Sequence, residues 1–272
     1  MPVWCGCALA WRLTGLFDLK LAVCTLCGAL AIQVATNFFN DAIDHQKGAD
    51  TERRLGPRRV TSSGLMTTRA VLLWGALFVA VAFGFGVVLY QSRGWPILAI
   101  GIPSLFLTYG YTGGPFPLAY RGMGELFVIL FFGLVAVTGT VFIQTGAWRL
   151  EALVLGGQVG LLSAVLISIN NLRDREEDAG TQKNTLAVRL GAKGAAWVVC
   201  VEMVLVVVLG GLWLGLGHAA LALACLPVVV FGAVIVRALL KGAVGVECNR
   251  LLALGGMQLL GFGVAFQLAA LL

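Results

Sequence analysis

The sequence predicts an all-α membrane protein, a polytopic bundle of about nine transmembrane helices. Of its 272 residues 59% are hydrophobic and only 12% are charged, and the mean hydropathy is +0.93. Soluble proteins carry roughly a quarter charged residues, so the lipid bilayer is the expected partner of much of this surface. The composition excludes secreted disulfide scaffolds, nucleic-acid-binding domains and disordered tails. We expect residues 1–272 to form a single transmembrane domain.

Long apolar stretches supply the predicted helices. A helix needs about 20 mostly apolar residues to cross a bilayer. Eight stretches satisfy this requirement: 19–39, 70–90, 95–112, 122–145, 149–170, 194–216, 219–239 and 251–271. The apolar residues 1–11 are interpreted as the end of a further helix whose beginning is missing, through either a late start codon or a truncation.

The distribution of basic residues predicts the orientation. Fifteen of the 19 Lys and Arg residues fall in the loops 40–69, 113–121, 172–193 and 237–250, which lie on one side of the predicted bundle. Cytoplasmic loops carry the excess of Lys and Arg, so this side is expected to face the cytoplasm. The net charge of +6 is therefore mainly a signal of topology.

The cysteines and histidines do not predict a metal or redox site. The chain has seven cysteines but only two histidines, so a Cys/His zinc site is not expected. Cys24 and Cys27 are three positions apart within an apolar stretch, and we interpret them as small apolar helix residues rather than a redox pair.

Acidic residues are concentrated in two short segments on the predicted cytoplasmic side. Eight of the 13 acidic residues lie there, each group following a long apolar stretch. The first segment contains Asn40 and Asp44, and the second repeats this Asn-x-x-x-Asp pattern as Asn170 and Asp174. The repetition suggests an internal duplication. A single charged helix end is usually a solvated loop, but two matching segments on one side favour a shared site.

The spacing within each segment predicts a site for a divalent cation. Residues four apart on a helix project together, and like charges at that spacing repel each other near a low-dielectric core. Mg²⁺ is usually held by one or two carboxylates together with waters and substrate phosphates. The expected metal ligands are Asn40, Asp44, Asp174 and Asp178. The expected diphosphate ligands are Lys183, Arg53 and Arg59, although the cytoplasmic excess of basic residues explains some of them equally well.

These segments resemble the acidic motifs of the UbiA-type intramembrane prenyltransferases. The resemblance covers nearly the whole chain and is strongest for the branch of that family acting in menaquinone synthesis. Three further stretches carry it: Lys47-Gly48-Ala49-Asp50, Tyr111-Thr112-Gly113-Gly114-Pro115, and Asn171-Leu172-Arg173-Asp174. The resemblance implies nine helices around a central cavity, with a cytosolic cap formed by two loops.

The resemblance also implies a reaction. A polyprenyl group would pass from polyprenyl diphosphate to 1,4-dihydroxy-2-naphthoate with loss of CO₂ and diphosphate, giving demethylmenaquinol in an Mg²⁺-dependent step. The alternative acceptors are 4-hydroxybenzoate and homogentisate. The expected location is the inner (cytoplasmic) membrane, with the active site facing the cytoplasm. The residues expected to act in catalysis are Asp44, Asp50, Asp174 and Asp178, with Asp50 assisting either a second metal or deprotonation of the acceptor.

Other polar and aromatic residues near the motifs are candidates for binding the acceptor or the prenyl group. Aromatic faces attract cations such as an allylic carbocation, although aromatic residues in membrane helices more often pack or anchor. The candidates are Asn171, Tyr111, Tyr120, Arg121 and Phe39. Arg121 and Glu125 form a suggestive polar pair at the start of a span, where Arg121 is expected to hold a carboxylate of the acceptor.

Cation or proton transport is the main alternative from a different functional class. A transporter of this kind places its acidic residues near the middle of the membrane, in broken helices of two repeats. The acidic segments here lie at helix ends on one side, so the sequence favours an enzyme.

Overall fold

The computed structural model describes residues 1–49, 55–181 and 183–272, and all regular secondary structure in these ranges is helical. The helices are α1 (Pro2–Thr14), α2 (Leu19–Gln46), α3 (Thr68–Arg93), α4 (Pro96–Gly110), α5 (Gly124–Thr145), α6 (Leu150–Arg173), α7 (Arg175–Gly180), α8 (Leu186–Gly215), α9 (Ala219–Leu240) and α10 (Glu247–Leu271). The prediction of an all-α bundle is confirmed.

Seven helices are long and apolar enough to cross a membrane among the described residues: α2, α3, α5, α6, α8, α9 and α10. The stretch predicted as a span at 95–112 forms α4, which has only 15 residues. At 1.5 Å per residue α4 extends about 22 Å, less than the roughly 30 Å of a bilayer core. The helix begins with Pro96 in its first turn and contains Pro103.

Helix α6 is the centre of the bundle. In its most apolar part 72% of residues are buried, against 17–44% in the other six long helices. Leu155 and Leu162 are almost fully buried in a cluster that includes Trp213 of α8 and Phe262 of α10. The polar side chain of Gln158 is satisfied within this cluster, because its Oε1 accepts a 2.9 Å hydrogen bond from Trp213 Nε1.

Small residues allow α5 and α6 to approach closely. The middle of α5 is a π-helical segment over Ile129–Val135. A Cβ atom added to Gly133 there would lie 2.3 Å from the carbonyl oxygen of Gly156 and 2.5 Å from Cα of Gly160. Helices therefore approach closely at Gly156, whereas Gly84 faces open space.

Two loops cover one end of the bundle, which we call the acidic end and define by residues 40–49, 55–66, 111–124, 174–181 and 183–186. The loop after α2 is fixed by Asp41, whose carboxylate accepts hydrogen bonds from the backbone N–H groups of Val60 (2.8 Å) and Thr61 (3.1 Å). The loop after α7 is fixed by Asn184, whose backbone N–H donates to the carbonyl of Tyr120 at 3.2 Å. Side chains from both loops therefore meet at this end.

Candidate active site

A cavity of about 140 Å³ lies at the acidic end of the bundle. Its wall combines residues from both predicted motifs with residues from the loops that cover this end. The lining residues are Asn40, Asp44, Arg59, Tyr111, Thr112, Ala119, Gly122, Gly124, Glu125, Ile167, Asn170, Asn171, Lys183 and Thr185. The fold thus brings the two distant segments to one small volume, as the sequence predicted.

Asp44 is the best-connected carboxylate of the cavity. Its side chain is buried, and its Oδ1 accepts a 2.8 Å hydrogen bond from the hydroxyl of Tyr120. The other oxygen, Oδ2, lies 3.7 Å from Arg59 Nη2 and 3.8 Å from Lys183 Nζ. Two cations and one hydroxyl therefore surround the carboxylate of Asp44.

Lys183 connects the first motif to the second. Its Nζ lies 3.8 Å from Asp44 Oδ2 and 3.8 Å from Asp178 Oδ1. Burial raises the pKa of Asp178 to about 6, and the nearby Lys183 opposes this shift. Asp44 and Asp178 thus face a position that already holds a positive charge.

Asn40 lines the cavity one helical turn before Asp44. Its Oδ1 accepts a hydrogen bond from the hydroxyl of Thr112, in the segment where α4 has ended. The carbonyl of Thr112 accepts a 2.7 Å hydrogen bond from Lys47 Nζ, which lies 4.0 Å from the centroid of the Tyr120 ring. This network fixes the orientation of the first motif.

Asp174 departs from the expectation that it faces the same cation as Asp44. Both of its oxygens accept hydrogen bonds from Arg173, at 2.7 Å from Nε and 2.7 Å from Nη2. The same Nη2 donates to Asn170 Oδ1 at 2.7 Å, and Nη1 donates to Asn249 Oδ1 at 3.1 Å. Asp174 is therefore neutralised by its neighbour in the chain and does not line the cavity.

Tyr111, Glu125 and Asn171 form the wall of the cavity away from the loops. The amide Nδ2 of Asn171 donates a 2.8 Å hydrogen bond to Glu125 Oε1. Burial raises the pKa of the Tyr111 hydroxyl, and the charges of Glu125 and Asp44 raise it further. This hydroxyl stays protonated at neutral pH and can donate a hydrogen bond.

Three predicted binding residues do not line the cavity: Tyr120, which hydrogen-bonds to Asp44 instead, and Arg121 and Phe39. Arg121 is exposed, with its guanidinium carbon 3.4 Å from the centroid of the Phe116 ring. Phe39 is buried against α3 near Gly75, and its ring packs edge-on against Tyr109 at 5.6 Å between centroids. Neither the Arg121 nor the Phe39 side chain is placed to contact a molecule in the cavity.

Two other predicted site residues, Asp50 and Arg53, lie outside the described residues.

The oxygen atoms in and beside the cavity fit a hard divalent cation, although Asp178, like Asp174, does not line the cavity itself. Asp44 and Asp178 face one shared cationic position at Lys183, and Asn40 adds an amide oxygen on the same helix face as Asp44. No group of three His, Cys, Asp or Glu side chains converges as a metal cluster within residues 1–49, 55–181 and 183–272. Two carboxylates completed by water and substrate phosphates are the coordination typical of Mg²⁺.

An apolar groove of about 400 Å³ adjoins the cavity. It is lined by Val128, Phe132, Ser163, Leu166, Ile167, Asn170, Leu252 and Leu259, from α5, α6 and α10. Ile167 and Asn170 line both spaces, so a molecule with one polar and one apolar end can occupy them together.

Thr112 and Thr185 line the cavity but were not among the predicted site residues. Both follow or precede a break in helical structure, since Thr112 follows α4 and Thr185 caps α8 through a 3.4 Å bond from the Val188 N–H. Helical spacing gives no information across such breaks. The broken stretch Tyr111–Pro115 is the one signal that pointed to Thr112.

Curated relatives match much of the chain. A Haemophilus influenzae protein named 1,4-dihydroxy-2-naphthoate octaprenyltransferase is 39% identical over 186 residues, covering 65% of this chain and 59% of the relative. A Bacillus subtilis protein of the same name is 34% identical over 195 residues, covering 72% and 62%. The matched region thus spans about three fifths of the length of these relatives.

Solved structures share the fold. A UbiA homolog from Aeropyrum pernix K1 in its apo form superimposes with a TM-score of 0.71 at 19% identity, covering 97% of this chain and 96% of the other. A UbiA homolog from Archaeoglobus fulgidus bound to DMAPP and Mg²⁺ gives 0.61 at 15% identity, covering 100% and 97%. The model of the UbiA prenyltransferase family matches residues 1–261. The expected resemblance is confirmed, and the chain belongs to the UbiA prenyltransferase family.

Proposed function

We propose that this protein transfers a polyprenyl group from polyprenyl diphosphate to 1,4-dihydroxy-2-naphthoate. The carboxylate of the acceptor leaves as CO₂, diphosphate is released, and the product is demethylmenaquinol. The acceptor is inferred from the names of the relatives that match most of the chain. We also propose that the protein lies in the cytoplasmic membrane with its acidic end toward the cytoplasm, which the excess of Lys and Arg on that side supports.

One observation carries the proposal: a polar cavity lined by Asn40, Asp44 and Asn170 adjoins an apolar groove. A polyprenyl diphosphate has the same two parts. Its diphosphate suits Lys183 and Arg59, which approach Asp44 from two loops, and its hydrocarbon tail suits the groove beside Leu166. Because such a tail lies among lipid chains before binding, the groove keeps it in an equally apolar environment while the diphosphate meets the polar cavity.

The chain offers ligands for Mg²⁺ in this proposal. Asn40, Asp44 and Asp178 would hold the ion. Asp174 would become a further ligand when its carboxylate leaves Arg173 and binds the ion instead. When bound, Mg²⁺ stabilises the negative charge that builds up on the departing diphosphate. With the carboxylates occupied in this way, Lys183 would be free to bind diphosphate oxygens, with Arg59 beside it.

The remaining predicted residues keep narrower roles. Tyr120 orients Asp44 through its hydrogen bond, and the Tyr111 ring borders the volume in which the allylic carbon reacts. Asp50 and Arg53 belong to the first motif, so we retain Asp50 as a helper of a second metal and Arg53 as a diphosphate ligand. The exposed position of Arg121 removes it from the proposed acceptor site.

A product assay tests the proposal. The purified protein in lipid nanodiscs is supplied with Mg²⁺, farnesyl diphosphate and one acceptor at a time: 1,4-dihydroxy-2-naphthoate, 4-hydroxybenzoate or homogentisate. We expect a prenylated naphthol and CO₂ from the first acceptor, identified by mass spectrometry and by release of carboxyl-labelled carbon. Glu151→Gln, in the first turn of α6 and so at the opposite end of that helix from Asn170, is the control. Prenylation of only another acceptor would contradict the proposed substrate.

A further inference from the structure

We propose that Glu125 binds a ring hydroxyl of the aromatic acceptor and takes its proton, while Asn171 holds Glu125 in position. This inference rests on the proposed function, which it deepens by assigning the acceptor end of the cavity. Glu125 belongs to neither of the two repeated motifs, and it opens α5 as the second residue of that helix.

The carboxylate of Glu125 is incompletely satisfied. The residue is only 4% exposed, and its Oε1 accepts the 2.8 Å hydrogen bond from Asn171. The other oxygen, Oε2, is buried and has no hydrogen-bond partner among the described residues. Leaving a buried polar atom unpaired is costly, so proteins rarely do so without a ligand or water that pairs with it. Because Glu125 lines the cavity, a ligand there can supply the missing donor.

The groups around Glu125 determine which kind of hydrogen-bond donor a ligand must offer to its unpaired oxygen. Asp44 and Asp178 each lie within 4 Å of a cation, whereas the recorded partner of Glu125 is the neutral amide of Asn171. A bare carboxylate repels the diphosphate and the carboxylate of the acceptor. It attracts a neutral O–H group, and a phenolic hydroxyl is the strongest such donor on a hydroxylated aromatic ring.

Glu125 and Asp44 line the same cavity. Gly124 carries no side chain, and a Cβ atom there would lie 2.9 Å from the Tyr111 hydroxyl and 3.2 Å from Cδ1 of Ile167. Any larger residue at position 124 would clash with these two side chains. A hydroxyl bound at Glu125 therefore lies in the same 140 Å³ as a diphosphate bound near Asp44.

In the proposed reaction, Glu125 takes up a proton as the new carbon–carbon bond forms and returns it after CO₂ is lost. The carbon–oxygen bond of the allylic diphosphate breaks, and its electron pair leaves with the diphosphate. The ring carbon that bears the carboxylate forms the new bond to the allylic carbon as Glu125 takes the hydroxyl proton, which leaves a ketone in the ring. Loss of CO₂ returns its bonding electron pair to the ring, and Glu125 gives the proton back to the oxygen. Glu125 is thus a general base and then a general acid.

The substitution Glu125→Gln tests whether Glu125 binds and deprotonates the acceptor, because glutamine has nearly the same shape as glutamate. The Gln side chain keeps an oxygen to accept from Asn171 but presents an amide group that cannot accept a hydroxyl proton. We expect binding of 1,4-dihydroxy-2-naphthoate, measured by calorimetry in nanodiscs, to weaken about 10- to 100-fold, the range for a hydrogen bond to a charged group. Binding of farnesyl thiolodiphosphate with Mg²⁺ should stay within about twofold of wild type, which also shows that the variant is folded.

Glu202→Gln is the matched control. Glu202 is 5% exposed, its Oε1 accepts from Ser168 at 2.9 Å, and its Oε2 is unpaired among the described residues, but it does not line the cavity. We expect this variant to bind the acceptor as wild type does. Equal acceptor binding by wild type and Glu125→Gln, or an acceptor defect in Asp50→Asn instead, would overturn the inference. Failure of the wild-type protein to prenylate any aromatic acceptor would overturn the proposed function itself.

Discussion

Tyr120 and Asp44 are joined by a 2.8 Å hydrogen bond in which the phenol donates to Oδ1. With Oδ1 bonded to Tyr120, the other oxygen of Asp44, Oδ2, faces two cations. It lies 3.8 Å from Lys183 Nζ and 3.7 Å from Arg59 Nη2. The ring of Tyr120 also lies 4.0 Å from the ammonium of Lys47. A residue from the loop before α5 therefore sets the direction in which the first motif presents its charge.

The Tyr120→Phe variant should need a higher Mg²⁺ concentration for activity. The variant keeps the ring beside Lys47 but removes the hydroxyl that fixes Asp44. We expect the Mg²⁺ concentration for half-maximal activity to rise about tenfold, since a hydrogen bond to a charged group contributes about 1.5 kcal/mol or more. Tyr109→Phe is the control, because Tyr109 packs against Phe39 outside the cavity. Coincident Mg²⁺ activation curves for Tyr120→Phe and wild type would show that the bond has no functional role.

Lys183→Gln should weaken binding of the donor. The substitution removes the one cation that lies 3.8 Å from both Asp44 and Asp178 among the described residues. We expect the KM for farnesyl diphosphate to rise about 10- to 100-fold through the loss of a charge-assisted bond to phosphate, with the KM for the acceptor little changed. Lys193→Gln, at an exposed position of α8, should behave as wild type. An unchanged donor KM would exclude Lys183 from diphosphate binding.

Leu166→Trp should shorten the tail that the groove accepts. Leu166 lines the apolar groove that adjoins the cavity, and a larger side chain fills part of its roughly 400 Å³. We expect activity to fall more with each added isoprene unit of the donor, while dimethylallyl diphosphate stays a substrate. Val204→Trp, on the exposed surface of α8, is the control for adding a large apolar residue. An equal loss with short and long donors would place the tail elsewhere.

Gly133→Ala should destabilise the fold. The added methyl group would lie 2.3 Å from the Gly156 carbonyl oxygen, so α5 and α6 would have to separate. Overpacking of this kind costs roughly 1–3 kcal/mol, which lowers the midpoint of thermal unfolding in detergent. Gly84→Ala faces open space in α3 and should leave the midpoint unchanged or raise it. Equal midpoints for the two variants would show that the α5–α6 contact is not tight.

The helix bundle could be predicted from the sequence because apolar stretches of membrane length determine it. The convergence of Asn40, Asp44 and Lys183 also followed from motif and charge. Helical spacing did not predict the pairing of Asp174 with Arg173, because α6 ends at Arg173 and α7 begins at Arg175, so the residue between them turns toward its neighbour. The same limit applies to Arg121, since the left-handed turn at Gly122 (φ 65°) separates it from α5. Such breaks in the backbone leave no periodic signal.

Joint metal binding by the two acidic segments is tested most directly by Mg²⁺-dependent binding of farnesyl thiolodiphosphate, measured by calorimetry for wild type, Asp44→Asn and Asp178→Asn. We expect the wild-type protein to bind the analogue with Mg²⁺ and to lose at least about tenfold in affinity in EDTA. Each variant should show a comparable loss with Mg²⁺ present, since each removes a charged ligand. Wild-type affinity in either variant, or equal affinity with and without Mg²⁺, would contradict a metal site shared by the two segments.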